Sequence, residues 1–200
     1  MFALVESGSI TKMLNGNKGI QLGDLKYPRA IYTLWTEAER NAIGIYTIEY
    51  DNSNKKDERW FVNTNQSYAF ANSKVTATYG TATAKAHADA NFTAQDETDG
   101  KGTEGEIKSR GLKYSLIQSV KKEAANELAN TDWYITRNAE ESTAVPSAIT
   151  THRRLVRSRQ ATMETSITNA SDTPALETLY TYTTDSDGVT SRPLAEIPNL

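Results

Sequence analysis

Apolar and polar residues alternate in short runs over the first part of the chain, the two-residue period of strands that bury one face. The runs FALVES and ITKML meet at Ser7-Gly8, and this spacing predicts a β-hairpin. The alternation slips again near Asn72-Ser73, which predicts a second turn. We therefore expect residues 1–90 to form a small β-rich N-terminal module.

One stretch inside this module has a different period. Thr36 precedes Glu39 by three residues, the spacing of a capping box, and Gly44 follows shortly afterwards. These signals predict a short helix at about 37–43, followed by the strand IYTIEY. The segment NGNKG at 15–19 is rich in residues that tolerate positive φ and is predicted to be a loop.

Residues 91–106, NFTAQDETDGKGTEGE, contain many carboxylates and glycines and few apolar side chains. This composition is typical of a solvated linker. Gln95, Glu97, Asp99 and Glu106 also match several ligand positions of a calcium-binding EF-hand loop. However, the first position of an EF-hand loop is normally Asp, and here it is Gln95. Gly102 occupies the position where an apolar residue usually anchors the loop, and no helix is predicted before it. We therefore interpret residues 91–106 as a linker.

The hydrophobic period becomes helical over residues 107–170. One stripe recurs every four residues and comprises Leu112, Leu116, Val120, Ala124 and Leu128. A second helix is predicted to begin at Pro146, since proline is favourable in a first turn, and to end near Asn169. Its seam alternates the apolar residues Ile149, Val156 and Met163 with Arg153, Gln160 and Ile167. Such a half-apolar seam predicts a helical hairpin rather than an autonomous coiled coil.

Residues 171–200 return to alternation, and Asp187-Gly188 predicts a terminal β-hairpin. Pro193 and Pro198 predict an extended arm after it, suited to lying over a neighbouring subunit. The expected fold class is α+β: a β-rich module, a linker, a helical hairpin and terminal strands.

The composition is polar for a chain of 200 residues: 38% of them are hydrophobic, 24% are charged, and the mean hydropathy is −0.60. A chain with so few apolar residues often completes its burial against copies of itself or a partner. The net charge of −3 argues against a dedicated nucleic-acid-binding protein, which needs a basic excess. We find neither a signal peptide nor a run of apolar residues that could span a membrane, and expect a protein made in a cytoplasm without membrane contact.

Few residues suit catalysis or a cofactor. The chain has no cysteine and only two histidines, His87 and His152. It also lacks the G-x-S-x-G motif that holds the serine nucleophile in many hydrolases. Its carboxylates fall in predicted loops and on polar helix faces, whereas a glycan-cleaving enzyme needs two of them fixed about 5–10 Å apart in a cleft. We therefore expect no enzymatic activity, no metal and no cofactor.

The segment TDWYITRNAEESTAVPSAITTHRRLVRSRQ concentrates aromatic and charged residues. Its arginines lie on several sides of the predicted helix, which favours ion pairing over phosphate binding. The expected partners are glutamates of the same hairpin, namely Glu123, Glu127, Glu140 and Glu141. Trp133 and Tyr134 are predicted to pack as an anchor where the two helices meet.

This segment resembles the C-terminal region of tail-fibre, tail-fibre-assembly and related small tail proteins of tailed bacteriophages. The shared pattern is TDW followed by an aromatic residue, then R…E, a polar spacer, a proline and a helix with spaced arginines. The stretches MFALVESGSITKMLNGNKGIQLGDLKYP and WTEAERNAIGIYTIEYD are similar to the N-terminal module of virion-associated proteins, often of phages that infect aquatic bacteria. Together these stretches cover about half of the chain.

The resemblance implies a non-enzymatic structural part of a phage virion in the tail, tail-fibre or baseplate region. Its partners would be other virion proteins and further copies of itself. The residues that match the family pattern are Trp133, Arg137, Glu140, Pro146 and Arg153, and the resemblance implies that they determine the fold or an interface.

Two other roles stay open at this point. A tail-fibre-assembly chaperone would bind a fibre and then leave, but such proteins end in a Trp/Pro-rich segment, whereas this chain ends in a Thr/Tyr-rich strand and an extended tail. A capsid decoration or cement protein would be found with phage heads instead of tails.

Overall fold

A computed structural model describes all 200 residues and confirms the α+β class. The chain forms two compact units, residues 1–83 and 84–200. None of the helices is long and apolar enough to cross a membrane.

Strands dominate the first unit. They are β1 (Phe2–Glu6), β2 (Ser9–Leu14), β3 (Ile20–Leu22), β4 (Leu25–Tyr27), β5 (Ile45–Asp51), β6 (Phe61–Val62), β7 (Gln66–Ala71) and β8 (Lys74–Tyr79), with β9 (Thr83–Ala84) at the boundary. Five of them form a sheet in the order β2-β1-β5-β8-β7, in which only β5 and β8 run parallel. Strands β3 and β4 form a separate hairpin.

Both turns predicted from the alternation are present in this sheet. Ser7 and Gly8 have φ values of 50° and 77° and connect β1 to β2. Asn72 and Ser73 have φ values of 49° and 58° and connect β7 to β8. Positive φ at both central residues matches the twist of paired strands, so these two-residue turns fix the register of each hairpin.

Two short helices, α1 (Ile31–Leu34) and α2 (Glu37–Ala42), lie between β4 and β5. The predicted capping box is confirmed: the Thr36 side chain accepts a hydrogen bond from the Glu39 amide, and the Glu39 carboxylate accepts one from the Thr36 amide. Gly44 ends the helical segment at a φ of 79°, where a Cβ would lie 2.6 Å from the Val5 carbonyl oxygen.

The core of the first unit has two clusters. Alternate residues of β1 contribute to the two clusters: Leu4 belongs to one, and Ala3 and Val5 belong to the other. Strand β1 is therefore buried on both faces, which is why its central residues form a continuous apolar run. The first cluster also holds Leu14, Ile20, Ile31, Tyr32 and Ile45.

Helices dominate the second unit. They are α3 (Ala94–Thr98), α4 (Leu112–Ala129), α5 (Asp132–Glu141), α6 (Ser147–Asn169) and α7 (Thr173–Tyr180). Its strands are β10 (Ala90–Asn91), β11 (Ile107–Ser109), β12 (Thr183–Thr184) and β13 (Thr190–Ser191). β10 pairs with β11 and β12 with β13, each antiparallel.

The α4–α6 pair contains the predicted seam. Leu116, Val120 and Ala124 of α4 are buried, as are Ile149, Arg153, Val156, Met163 and Ile167 of α6. The helices are antiparallel, because Lys113 bonds to Thr168 near one end and Glu127 bonds to His152 near the other. α4 begins at Leu112 rather than at 107, since residues 107–109 form β11.

The segment predicted as a solvated linker, residues 91–106, is folded. It connects β10 to β11 and contains α3, which has its own capping box between Thr93 and Asp96. The Asp96 carboxylate is buried and also accepts a hydrogen bond from Lys108 Nζ at 2.8 Å. The linker prediction was wrong because carboxylates that cap a helix and pair with a lysine replace the missing apolar residues.

These contacts make the second unit sensitive to acid. The hydrogen bond from Lys108, with those from Thr93, lowers the pKa of Asp96 from 3.8 to about 2. The stabilisation is fully present above pH 3.8 and is lost as the pH falls through about 2. We expect Asp96→Asn to remove this dependence, so that its stability difference from the wild type is larger at about pH 5 than at about pH 2.

Urea unfolding at a series of pH values measures this difference. Glu104→Gln is the control, because Glu104 is an exposed neighbouring carboxylate whose side chain makes no hydrogen bond or ion pair. A stability difference for Asp96→Asn that does not change with pH would contradict the prediction.

The C-terminal region differs in two ways from its prediction. Residues 173–180 form α7 instead of a strand, because the Asp172 side chain caps the helix at the Ala175 amide and Pro174 occupies the first turn. The predicted hairpin at Asp187-Gly188 is confirmed, as β12 and β13. The arm after it packs on its own unit rather than extending to a neighbour: Leu194 and Ile197 are buried, and the Leu194 amide bonds to the Leu179 carbonyl at 2.9 Å.

Candidate interaction surface

Helix α5 contributes no buried residue to the core of the second unit, unlike α4, α6 and α7. None of its ten residues is buried. A helix this short is marginal in water without tertiary contacts, so its ends must be held. At its C-terminal end, Ser142 adopts a φ of 56° and the Asn138 amide side chain donates to the Thr143 carbonyl at 2.8 Å.

The N-terminal end is held by Arg153 of α6, which is only 7% exposed. Arg153 Nη1 lies 2.8 Å from the Leu128 carbonyl oxygen, 2.7 Å from Thr131 Oγ1 and 2.8 Å from Asp132 Oδ1. The fully buried Thr131 separates α4 from α5. We call Leu128, Thr131, Asp132 and Arg153 the arginine joint. One guanidinium thereby fixes the end of α4 and the start of α5 against α6.

The other predicted ion pairs differ from those observed. Glu127 pairs with His152 Nε2 at 2.9 Å rather than with an arginine. Glu123, Glu140 and Glu141 form no ion pair, and Arg153 takes Asp132 as its carboxylate partner instead. Arg153 pairs with Asp132 because the first residue of α5 lies next to α6. Glu140 and Glu141 are at the opposite end of α5, where both are exposed.

Three side chains of α5 form an aromatic–arginine cluster: Trp133 is exposed, and Tyr134 and Arg137 are half-buried. The ring centroids of Trp133 and Tyr134 are 4.0 Å apart, and the Arg137 guanidinium lies 4.6 Å and 5.7 Å from them respectively. Trp133 remains 52% exposed. Trp133 was predicted to pack with Tyr134 as an anchor where the two helices meet; instead Trp133 is exposed, Tyr134 is half-buried, and the arginine joint holds the junction.

The cluster is pre-organised by its own contacts. Cation–π contacts of this length favour a fixed position of the guanidinium over the rings. The Arg137 Nε is shielded from solvent and makes no hydrogen bond. The aromatic faces and the remaining guanidinium nitrogens can therefore meet a partner with little further loss of side-chain entropy.

The five residues of the family pattern are distributed over this region. Trp133 and Arg137 are in contact within the cluster. Arg153 is linked to them only through the joint at the start of α5. Glu140 is exposed in the last turn of α5, and Pro146 is the N-cap residue of α6.

Across the chain, no group of three or more His, Asp or Glu side chains is placed to hold a metal ion. Trp, Tyr and Arg are instead the residues that contribute most often to protein–protein binding energy. No protein-family model, curated protein or solved structure matches this chain.

Proposed function

We propose that the protein is a non-enzymatic structural component of a tailed-bacteriophage virion, in the tail, tail-fibre or baseplate region. Its sequence resemblance to phage tail proteins supports the setting. The observation that supports a binding role is the aromatic–arginine cluster, which lies on a helix without buried residues and leaves Trp133 52% exposed. The protein would act by presenting this cluster to another virion protein or to a further copy of itself.

Two properties of the cluster favour its binding to a partner. A large aromatic residue that is half exposed in the free protein can still lose much of its solvent-accessible area in a complex. A guanidinium already stacked on aromatic rings loses less entropy on binding than a free arginine. None of these side chains belongs to the core of the isolated unit, since α5 has no buried residue.

Mass spectrometry of purified particles tests the proposal, with heads and tails separated after dissociation. We expect the protein in the tail fraction. Recovery with heads would support a capsid decoration protein instead. A complex with the fibre in infected lysate, together with absence from particles, would support an assembly chaperone. Absence from both particles and complexes would contradict every structural role.

We further expect a double substitution, Trp133→Ala with Arg137→Ala, to reduce incorporation into particles several-fold, because it removes two hot-spot residues from one contact. The protein should remain folded, with an unfolding free energy lower than that of the wild type by at most about 1 kcal/mol, since neither residue is in the core and only a surface cation–π contact is lost. Quantitative mass spectrometry of particles measures incorporation, and urea unfolding measures stability.

The matched control is Ile135→Ala. Ile135 lies on the same helix, is also exposed, and is two residues from Trp133, so it points to a different side of α5. Its substitution should leave incorporation unchanged. Equal incorporation of the double variant and the control would show that the cluster is not the contact.

A further inference from the structure

The first unit contains a cavity of about 430 Å³ that the proposed function does not use. It lies at the end of β2, where the loop 15–19 leads into β3. Its lining includes Leu14, Ile20 and Tyr32, which belong to the hydrophobic core of this unit. The cavity floor is therefore part of the packed core rather than a gap between mobile side chains.

The loop that closes one side is fixed by its own sequence. The Asn15 side chain accepts a hydrogen bond from the Asn17 amide at 3.1 Å. Gly16 has a φ of 72°, and a Cβ there would lie 3.3 Å from the Phe2 ring. A Cβ on Gly19 would lie 2.4 Å from the Tyr27 carbonyl oxygen, so only glycine fits. The cavity is thus pre-formed, as small-molecule sites usually are.

The charge of the lining has one sign. Lys12 and Lys18 both contribute to it, and no aspartate or glutamate does. Neither lysine forms a salt bridge, whereas Lys74 in the same unit pairs with Glu49 at 2.9 Å. Two lysines in the lining of one cavity, with no carboxylate residue in that lining, raise the local concentration of anions.

Tyr32 adds a polar group to the residues of the lining. The side chain of Tyr32 lines the cavity, the residue is 8% exposed, and its hydroxyl makes no hydrogen bond within the protein. Partial burial raises the pKa of Tyr32, which keeps the hydroxyl protonated and able to donate. The apolar part of the lining, with Met13 at the rim, would contact the non-polar part of a ligand.

We propose that this cavity binds a small phosphate monoester, with its dianionic group between Lys12 and Lys18 and its apolar group on the floor formed by Leu14, Ile20 and Tyr32. A dianion balances the two ammonium charges, and a monoanion balances only one. The volume lies in the usual range for small-ligand sites. This inference concerns the first unit and does not depend on the role proposed for α5.

Phenyl phosphate is the probe, titrated into the full-length protein at about pH 7.5, where most of its phosphate is dianionic. Backbone amide chemical shifts in ¹H–¹⁵N NMR spectra report both the affinity and the place of binding. We expect shifts over residues 12–21 and at Tyr32. Phenylacetate, a monoanion, should bind more weakly, and benzyl alcohol, which is uncharged, more weakly still.

The variants Lys12→Gln and Lys18→Gln should each weaken phenyl phosphate binding about tenfold, the effect of one charge-assisted hydrogen bond. Lys26→Gln is the matched control, since Lys26 is an exposed lysine outside the cavity lining. The same spectra show whether each variant is folded. Absence of binding by the wild type would overturn the proposal. Equal weakening by all three variants would also overturn it, because it would indicate general attraction to a positive surface.

Discussion

Replacing Arg153 with methionine should lower the free energy of unfolding by about 3 kcal/mol, although methionine is similar in length. The loss arises in the arginine joint, where Thr131 Oγ1 and the Leu128 carbonyl would each lose a charged donor at a buried position. The Asp132 contact adds little, because that side chain is 61% exposed. Urea unfolding of the wild type and the variant measures the difference.

Arg157→Met is the control for this experiment, since Arg157 lies one helical turn away on α6, is exposed and forms no salt bridge. It should change the stability by less than about 0.5 kcal/mol. A similar small change for Arg153→Met would mean that solvent replaces the guanidinium in the joint without penalty. The joint would then have no structural role.

Gly111→Ala should have an effect of similar size at the other end of α4. A Cβ on Gly111 would lie 2.3 Å from the backbone carbonyl of Ala88, so one of the two chain segments would have to move. That movement would disturb three hydrogen bonds that satisfy the first amides of α4: Gly111 to the Asp89 carboxylate, Leu112 to Ala86 and Lys113 to His87. We expect a loss of about 3 kcal/mol in unfolding experiments.

Gly100→Ala separates this overlap from the general effect of losing a glycine. Gly100 has a φ of 70° with no atom within 4 Å of the added Cβ, so only backbone strain of about 1 kcal/mol is expected. If the two alanine variants are equally stable, the close approach at Gly111 is not a constraint on the fold.

Local signals along the sequence predicted much of the second unit. The four-residue stripe through Leu116, Val120 and Ala124 and the seven-residue spacing of Ile149, Val156 and Met163 both mark buried faces. These patterns work because packing of one helix face against another depends mainly on spacing along the chain.

Other elements depend on contacts that spacing does not reveal. The signal Thr93-x-x-Asp96 for α3 is present in the sequence, but the polar composition around it favoured a linker. Helix α5 lacks a buried stripe and was not predicted. In the arginine-rich helix, the sequence did not show which arginine would be buried. That choice depends on where Thr131 and the end of α4 lie in space.

The candidate sites, too, depend in part on contacts that spacing along the sequence does not reveal. The family pattern identified Trp133 and Arg137, but the exposure of Trp133 was not predicted because an aromatic pair between two helices usually packs inside. The loop at 15–19 was predicted, whereas the cavity beside it also needs Tyr32 from α1, beyond the β3–β4 hairpin.

Because α5 is fixed at its ends and contributes no residue to the core, its outward side chains are largely free of selection for stability. Substitutions there could change what the protein recognises while the scaffold of α4 and α6 stays intact. Under the binding role proposed for α5, binding specificity and maintenance of the fold would depend on different residues of the same unit. A designer could exploit this separation by randomising the exposed positions of α5 and leaving Asp132 and Arg153 unchanged.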